Sequence, residues 1–316
     1  MADAEVGDDV FGEDPTVLRL EAMSAERAGK EAALFVASGS MANLLAISVH
    51  TRPGDEVLMH QDAHPFNYES GGAAAYAGVQ IRPLAGAAGI LDASAIPDAL
   101  RGADDHVAPA RLLCVEDTSN RGGGTVHPIE VLDALTTTAH AHGLSTHLDG
   151  ARAWNAVVAS GIGLERRARG FDTVGFCFSK GLGAPVGSVL CGSRDAIALA
   201  RRVRKRLGGG MRQVGILAAG AIFALEHHVE RLAQDHARAA RLAAGLRELG
   251  FAATEPSTNL VFVDVDDAPA MLDALAARGV RCFATGPRRL RLVTHLDVDD
   301  DGIGQALATF AALAEK

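Results

Sequence analysis

The feature that most constrains the fold is the stretch 171–192, FDTVGFCFSKGLGAPVGSVLCG, which contains a single lysine, Lys180. Before the lysine, Val174, Phe176 and Phe178 alternate with small residues, as in a β-strand. The strand pattern ends at the lysine, glycines and a proline follow, and 188–191 predicts a second short strand. A lysine amine at the end of an apolar strand is poorly solvated, which favours the neutral, nucleophilic form that makes Schiff bases. A surface lysine with a buried stem would give the same local pattern, so its assignment depends on residues elsewhere.

Strand and helix patterns alternate along most of the chain, and this order predicts a largely parallel α/β sheet. From residue 259 the order strand, helix, strand, strand, helix predicts a small α+β domain. We expect an irregular lead-in at 1–15, a large domain at 16–249 that includes a linking helix, and a small domain at 250–316. Further strands are predicted at 56–60, 79–84, 112–115, 145–148, 260–265, 280–284 and 289–294, and helices at 16–28, 128–142, 194–207, 214–249 and 269–278.

Composition excludes several classes of protein. The chain has 316 residues, 48% of them hydrophobic, and a net charge of -9, so we expect no nucleic-acid binding. Its one basic run, 201–206, lies in helical context, where a solvated face explains it. No apolar run approaches the roughly 18 residues of a membrane span and the start has no apolar targeting core, which predicts a cytoplasmic protein. The cysteines lack CxxC spacing and are expected in core strands as packing residues, without disulfides or metal: Cys114, Cys177, Cys191 and Cys282.

Polar residues gather where predicted elements begin or end. Ser38, Gly39 and Ser40 precede a helical pattern, and a helix start offers free N–H groups to a phosphate, although N-capping by serine alone would also explain them. Asp149 follows one predicted strand, at the edge where open α/β sheets place their ligands. A lysine, a strand-end acid and a phosphate seat together describe a pyridoxal phosphate (PLP) site. There the lysine binds the aldehyde, the acid keeps the ring nitrogen protonated and the helix start anchors the phosphate.

Seven segments of the chain resemble one family, in the order in which that family has them. They are GDDVFGEDPT (7–16), KEAALFVASGSMAN (30–43), DAHPFNYE (62–69), HLDGAR (147–152), CFSKGLGAPVGS (177–188), LGGGMRQ (207–213) and RLVTH (291–295). At these residues the chain resembles the threonine aldolase branch of the fold-type I PLP enzymes, grouped with the aromatic amino acid β-eliminating lyases. The resemblance implies an α/β fold with a large, mostly parallel sheet domain and a smaller C-terminal α+β domain.

The resemblance also implies a role for individual residues. It makes PLP the cofactor, a small amino acid the substrate, and the assembly a homotetramer with its sites between subunits. The implied roles are Lys180 as the Schiff-base lysine, Asp149 on the pyridine nitrogen, Gly39 and Ser40 on the phosphate, His64 stacked on the ring, Arg152 and Arg291 on the substrate carboxylate with Arg152 also near the ring hydroxyl, and Arg212 on a cofactor phosphate, across a subunit boundary. Taken alone, His64 before Pro65 could be a turn residue, and Arg291 an exposed strand residue.

Three departures from the family pattern stand out. Ser119 occupies the place of a usual histidine, which removes one acid or base, and we expect position 119 to contact the substrate. Phe11 stands where tyrosine is common. The chain starts inside the family's usual first helix, so the preceding Ser-Asp-Thr segment is expected to be absent. That absence predicts slower turnover with cofactor binding retained.

The resulting hypothesis is a PLP-dependent lyase that cleaves L-threonine or L-allo-threonine to glycine and acetaldehyde, with His64, or a water it orients, as the base. One alternative is β-elimination, or cleavage of bulkier β-hydroxy amino acids such as phenylserine. Another is a shortened, inactive paralogue that serves as an interaction partner. Retention of Lys180, Asp149 and Arg152 together argues against the paralogue, because a non-enzyme has no evident need for all three.

Overall fold

The computed structural model describes residues 1–102 and 104–314 of the chain. Apolar alternation and short apolar runs produce strands, and residues with 3.6-residue apolar spacing produce helices. The strands are β1 (Ala32–Val36), β2 (Glu56–His60), β3 (Gln80–Leu84), β4 (Ala110–Glu116), β5 (Ser145–Gly150), β6 (Thr173–Cys177), β7 (Ser188–Gly192), β8 (Ala252–Ala253), β9 (Leu260–Asp264), β10 (Phe283–Gly286) and β11 (Arg289–Val293). The helices are α1 (Pro15–Ala28), α2 (Gly39–His50), α3 (His64–Asn67), α4 (Ala95–Ala99), α5 (Ile129–Ala141), α6 (Ala153–Ser160), α7 (Leu164–Ala168), α8 (Arg194–Arg206), α9 (Gly215–His227), α10 (Leu232–Glu248), α11 (Ala268–Ala276) and α12 (Asp300–Ala314).

Seven strands form the large sheet, in the order β1-β7-β6-β5-β4-β2-β3. The pairs from β3 to β6 are parallel, whereas β7 runs antiparallel to both of its neighbours. Helices cover both faces, so strands such as β2 and β6 are buried along their whole length. Because the parallel strands share one direction, their carboxyl ends meet at one edge of the sheet. The predicted fold class, a large and mostly parallel sheet, is confirmed.

A second sheet has the order β10-β11-β9-β8 and is antiparallel throughout. One face of it packs on α10 and α12 around a core of its own, which includes Leu246, Val263 and Phe310. This is the small α+β unit that the C-terminal pattern predicts. The domain bounds at 16–249 and 250–316 stay predictions, since α10 packs on the second sheet although it precedes residue 250.

Several local expectations were wrong. The helical stretch 214–249 is two helices, α9 and α10, because α9 packs on α1 in the first core and α10 turns away to pack on α12 in the second. The break at 228–231 contains neither glycine nor proline, and the His228 ring there contacts the Leu182 carbonyl oxygen at 2.6 Å. Cys282 lies just before β10 and is half-buried, so only three of the four cysteines are in strands.

The polar lead-in is not wholly outside the core. Asp9 is buried and accepts a 2.7 Å hydrogen bond from Arg204, which is itself buried. Asp14 caps α1 through the Thr16 and Val17 amides. These acids are paired or capping, which is what allows them to be buried. None of the described helices is both long and apolar enough to span a membrane.

Candidate functional site

A cavity of about 510 Å³ opens where the carboxyl ends of the parallel strands face the small sheet. This volume is typical of small-molecule sites. Loops after β2, β4, β5 and β6 supply one side, and β10 and β11 supply the other. The lining residues are His64, Tyr68, Asn120, Arg152, Lys180, Phe283, Ala284, Thr285 and Arg291. Four of the side chains predicted from the sequence therefore meet in one cavity: His64, Arg152, Lys180 and Arg291.

Lys180 is half-buried in the loop between β6 and β7, three residues beyond the end of β6. The strand was predicted to run up to the lysine, but it stops at Cys177 because the backbone then turns. The Phe178 amide donates to the Gly187 carbonyl oxygen at 3.0 Å, and the Gly183 amide donates to the Lys180 carbonyl oxygen at 2.8 Å. Gly187 has a φ of 106°, which side-chain-bearing residues rarely adopt. The loop thus fixes the backbone that presents the lysine to the cavity.

His64 begins α3 and turns its ring toward Glu69, with Nδ1 and Oε1 2.9 Å apart. This hydrogen bond to Glu69 raises the pKa of His64, and the charge of Asp149 adds to the effect. The Tyr68 ring centroid lies 5.5 Å from that of His64. An imidazole held this way carries a proton more readily than a free histidine, as an acid or base in this cavity requires.

Asp149 lies at the carboxyl end of β5, directly opposite Glu116 at the end of β4. Its Oδ1 accepts from the Ala151 amide at 3.1 Å, and its Oδ2 accepts from Asn43 Nδ2 at 2.9 Å. The side chain does not line the cavity itself. It is 95% buried beneath it, where its charge acts on His64. A buried acid with both oxygens hydrogen-bonded is suited to hold a protonated ring nitrogen.

Glu116 is a second buried acid at the same edge of the sheet. Its Oε2 accepts from the His64 amide and its Oε1 from the Asn120 amide, both at 2.8 Å. Burial, together with the nearby charge of Asp149, raises the pKa of Glu116 to about 7. Because it binds the two backbone segments that carry His64 and Asn120, Glu116 holds two neighbouring loops of one cavity wall together.

Arg152 and Arg291 point toward the same atom, Oδ1 of Asn120, which accepts from them at 3.3 and 2.8 Å. Within the described part of the chain, neither guanidinium forms an ion pair with a carboxylate, and Arg291 Nε is buried without a partner. Burial lowers the pKa of both arginines, and the charge of Arg291 further lowers the pKa of Arg152. Two desolvated cations that share one neutral oxygen form a seat for a carboxylate anion.

Gly39 begins α2, and Ser38 caps that helix by accepting from the Met41 amide at 3.2 Å. A Cβ on Gly39 would lie 2.9 Å from Cys177 Sγ, so the helix start packs tightly against the end of β6. Ser40 lines a second cavity of about 590 Å³, whose wall includes Glu69, the partner of His64. The helix start, with its N–H groups, is therefore next to the lysine loop.

Ser119 and Arg212 do not lie in the cavity. Ser119 is buried, its Oγ accepts from the Gly122 amide at 3.1 Å, and a Cβ on Gly89 would come within 1.8 Å of that oxygen. The hydroxyl thus stabilises a turn, and its contact with substrate stays a prediction. Arg212 is 60% exposed, pairs with Asp8 at 2.8 Å and lies over the Phe11 ring. Within one chain it does not contact the lysine cavity, and its contact with a phosphate across a subunit boundary also stays a prediction.

Four residues with evident parts in the site were not assigned from the sequence: Asn43, Glu116, Asn120 and Phe283. Glu116 and Asn120 flank a strand end, and that position was a usable signal. Phe283 lies on the small sheet, with its ring centroid 5.3 Å from the Arg291 guanidinium carbon. Asn43 lies inside a helix, where nothing in the sequence distinguishes it from a packing residue.

The chain is similar to known proteins over most of its length. The profile of the beta-eliminating lyase family matches residues 1–268. A low specificity L-threonine aldolase of Escherichia coli (strain K12) is 43% identical, covering 99% of this chain and 93% of its own. The chain belongs to the beta-eliminating lyase family. This confirms the resemblance that the seven sequence segments indicate, and membership in a family of lyases disfavours the inactive paralogue.

Two solved structures share the fold of this family member. A threonine aldolase of Leishmania major superposes with a TM-score of 0.85 at 23% identity, over 99% of this chain and 92% of the other. A serine palmitoyltransferase from S. paucimobilis, solved with PLP bound, gives a TM-score of 0.78 at 20% identity, over 99% and 80%. At this identity the likeness extends to the fold alone.

Proposed function

We propose that this protein is a PLP-dependent aldehyde-lyase that cleaves L-threonine or L-allo-threonine to glycine and acetaldehyde. The observation that carries the proposal is the cavity itself, where a loop lysine faces two arginines that have no carboxylate partner among the residues the structure describes. An amino acid substrate brings that missing carboxylate. The 43% identity to an enzyme named low specificity L-threonine aldolase supports the choice of substrate.

The residues present fit PLP. Lys180 would bind the aldehyde, Asp149 the ring nitrogen, and the start of α2 at Gly39 and Ser40 the phosphate. The close approach of Gly39 to Cys177 keeps that helix start near the lysine loop. When bound, PLP supplies an electron sink for the negative charge that forms at Cα as the Cα–Cβ bond breaks.

The chain's own side chains position the amino acid and move the proton. Arg152 and Arg291 bind its carboxylate, which orients the bond to be broken. His64, or a water that it orients, takes the proton from the β-hydroxyl. Glu69 stabilises the positive charge that then resides on the His64 ring, since it already hydrogen-bonds Nδ1. Tyr68 and Phe283 flank the mouth and shield the reacting atoms from water.

A second candidate substrate class is that of bulkier β-hydroxy amino acids such as phenylserine. It is favoured by the two aromatic side chains on the cavity wall, Tyr68 and Phe283, which can pack against an aryl group. Analysis of the products separates all the candidate reactions. Aldol cleavage yields glycine and an aldehyde, the identity of which gives the substrate preference, whereas β-elimination yields a 2-oxo acid and ammonia.

The decisive experiment concerns Lys180. The protein is incubated with PLP, reduced with borohydride and digested, and the labelled peptide is identified by mass spectrometry. The chain has only four lysines, so the assignment is direct. We expect the label on Lys180, and loss of both label and activity in Lys180→Ala but not in the exposed control Lys205→Ala. A label on another lysine, or full activity of Lys180→Ala, contradicts the proposal.

We also propose a cytoplasmic homotetramer with its sites between subunits. The location is supported by the four cysteines, all unpaired. The assembly is supported by large apolar side chains on the surface of the single chain, among them Phe11, Tyr76 and Phe223, which are 68%, 71% and 55% exposed. A role for Arg212 at a neighbouring subunit is supported by its exposure of 60% and by its position outside the lining of its own cavity.

A further inference from the structure

The hydrogen bonds of Asn43 are not explained by the roles proposed above. It lies in α2, is 97% buried, and uses one atom, Nδ2, to donate to two carboxylates. The acceptors are Asp149 Oδ2 at 2.9 Å and Glu69 Oε1 at 2.8 Å. An amide nitrogen has two hydrogens, so each carboxylate receives one. Asn43 thus joins the acid assigned to the ring nitrogen to the acid that holds His64.

A chain of buried groups lies on the other side of the amide. Asn43 Oδ1 is 3.2 Å from His147 Nε2, and His147 Nδ1 is 3.0 Å from Thr173 Oγ1. The same hydroxyl oxygen is 3.0 Å from His50 Nε2 at the end of α2. Each group in this series therefore lies within hydrogen-bond distance of the next, from the Asn43 amide to His50, the last residue of the helix.

The hydrogen bonds between Asn43 and His50 allow only one assignment of donors and acceptors. Burial lowers the pKa of His147 to about 4, so its ring is neutral near pH 7 and has one donor and one acceptor. The amide oxygen can only accept, so Nε2 carries the hydrogen and Nδ1 accepts from the Thr173 hydroxyl. Burial also lowers the pKa of His50, and its Nε2 donates to the hydroxyl oxygen. The amide oxygen is thereby held toward His147 and the amide nitrogen toward the carboxylates.

We propose that Asn43 is a positioning residue that holds the carboxyl groups of Asp149 and Glu69 in fixed orientations, with the hydrogen-bonded series from His147 to His50 fixing the direction of its amide. This rests on the proposed function, because Asp149 and Glu69 matter to the reaction only if PLP and His64 act as described. One neutral side chain would then serve both the electronics of the cofactor and the base.

The chemical consequence follows from the donated hydrogens. A hydrogen bond donated to a carboxylate stabilises its charge. With PLP bound, the donor on Asp149 would therefore help to keep a shared proton on the ring nitrogen, and its loss would weaken the withdrawal of charge from Cα by the ring. A hydrogen bond to a charged group contributes enough that its loss lowers kcat by about ten- to a hundredfold.

The test compares Asn43→Leu with Ser48→Ala, a hydroxyl deletion on the same helix. Among the described residues, that hydroxyl donates to the Leu44 carbonyl oxygen alone. Both proteins are loaded with PLP labelled with ¹⁵N in the ring, and the chemical shift of that nitrogen is recorded alongside kcat and KM. We expect Asn43→Leu to lower kcat and move the shift toward the unprotonated ring, and Ser48→Ala to change neither. A lower kcat with an unchanged nitrogen shift would overturn the proposal, since it indicates a purely structural role.

Two further measurements cover the case in which Asn43→Leu fails to fold. Thr173→Val keeps Asn43 but removes the hydroxyl that orients His147, and we expect a smaller nitrogen shift of the same sign. In the wild-type protein without PLP, ¹⁵N spectra of the histidines should show His147 neutral at pH 7, with its hydrogen on Nε2. A protonated ring, or the hydrogen on Nδ1, overturns the proposal. If the wild type binds PLP but cleaves no amino acid, the proposed function fails while these nitrogen shifts still test Asn43.

Discussion

A single amide oxygen, Oδ1 of Asn120, accepts from both Arg152 and Arg291 and so aligns them toward the cavity. We predict that Asn120→Ala raises the KM for the amino acid about ten- to a hundredfold, because one hydrogen bond to a charged group contributes roughly 1.5–3 kcal/mol. The value of kcat should change less, since the carboxylate is bound in both the ground state and the transition state. Steady-state kinetics with L-threonine and L-allo-threonine measure both constants.

The adjacent Ser119 provides the matched control. Its hydroxyl serves a turn, so Ser119→Ala should leave KM unchanged and lower the free energy of unfolding by about 1 kcal/mol. Ser119→His should destabilise the fold further, because Gly89 and Gly122 lie too close to the Ser119 hydroxyl to leave space for an imidazole ring. If Ser119→Ala raises KM as much as Asn120→Ala, position 119 contacts the substrate after all.

The raised pKa of Glu116 predicts that the free energy of unfolding depends on pH. Burial raises its pKa to about 7 in the folded state, against an ordinary value of 4.5. Between these values the folded protein binds a proton that the unfolded chain has released. This carboxyl therefore stabilises the fold below about pH 4.5, and its contribution declines as the pH rises toward 7.

The contribution of Glu116 has to be measured as a difference between two proteins. Buried histidines such as His147 make the free energy of unfolding rise with pH, which is the opposite trend. The free energy of unfolding of the wild type, minus that of Glu116→Gln, should fall between about pH 4.5 and 7 and be flat outside that window. A difference independent of pH from 4 to 8 would mean that the Glu116 carboxyl ionises as it does in water.

At the scale of whole elements, the sequence predicts what is local. The sequence located β2 at 56–60 without error, and the serines and Gly39 located the start of α2. The break between α9 and α10 carries no local signal, because it depends on which core each helix packs against. The role of Asn43 could not be predicted for the same reason, because its partners Glu69, Asp149 and His147 come from distant parts of the chain.

The close packing of α2 against β6 is a feature of two elements, and it can be tested as such. In Gly39→Ala the added methyl meets Cys177 Sγ at 2.9 Å, so the helix start must move away from the lysine loop. Overpacking of this kind costs about 1–3 kcal/mol, and we predict that the Kd for PLP rises about tenfold.

Removing the sulfur should restore the fit. The double variant Gly39→Ala, Cys177→Ala is expected to bind PLP more tightly than Gly39→Ala, with Cys177→Ala alone as the control. Fluorescence titration of the purified proteins with PLP measures all four affinities. Equal Kd values for the wild type and Gly39→Ala would show that the phosphate seat does not depend on this contact.

At the scale of the whole molecule, the question is whether one chain has a complete site. Lys180 lines the cavity of its own chain and Asp149 is buried beneath it, whereas Arg212 is 60% exposed and does not line that cavity. If Arg212 acts in the site of a second copy, each site combines Lys180 from one subunit with Arg212 from another. Lys180→Ala and Arg212→Ala would then both be inactive, because each removes a group that a different subunit contributes to the same site.

We predict that the two inactive variants, unfolded together and refolded as a mixture, recover activity. In a mixed pair one site has both defects and the other has neither, so random pairing should restore about a quarter of the wild-type activity. Each variant refolded alone is the control, and analytical ultracentrifugation shows whether the mixture reassembles into the expected tetramer. A reassembled mixture without activity would place Arg212 outside the shared site. In that case, combining wild-type Lys180 of one subunit with wild-type Arg212 of the other would not have restored a working site.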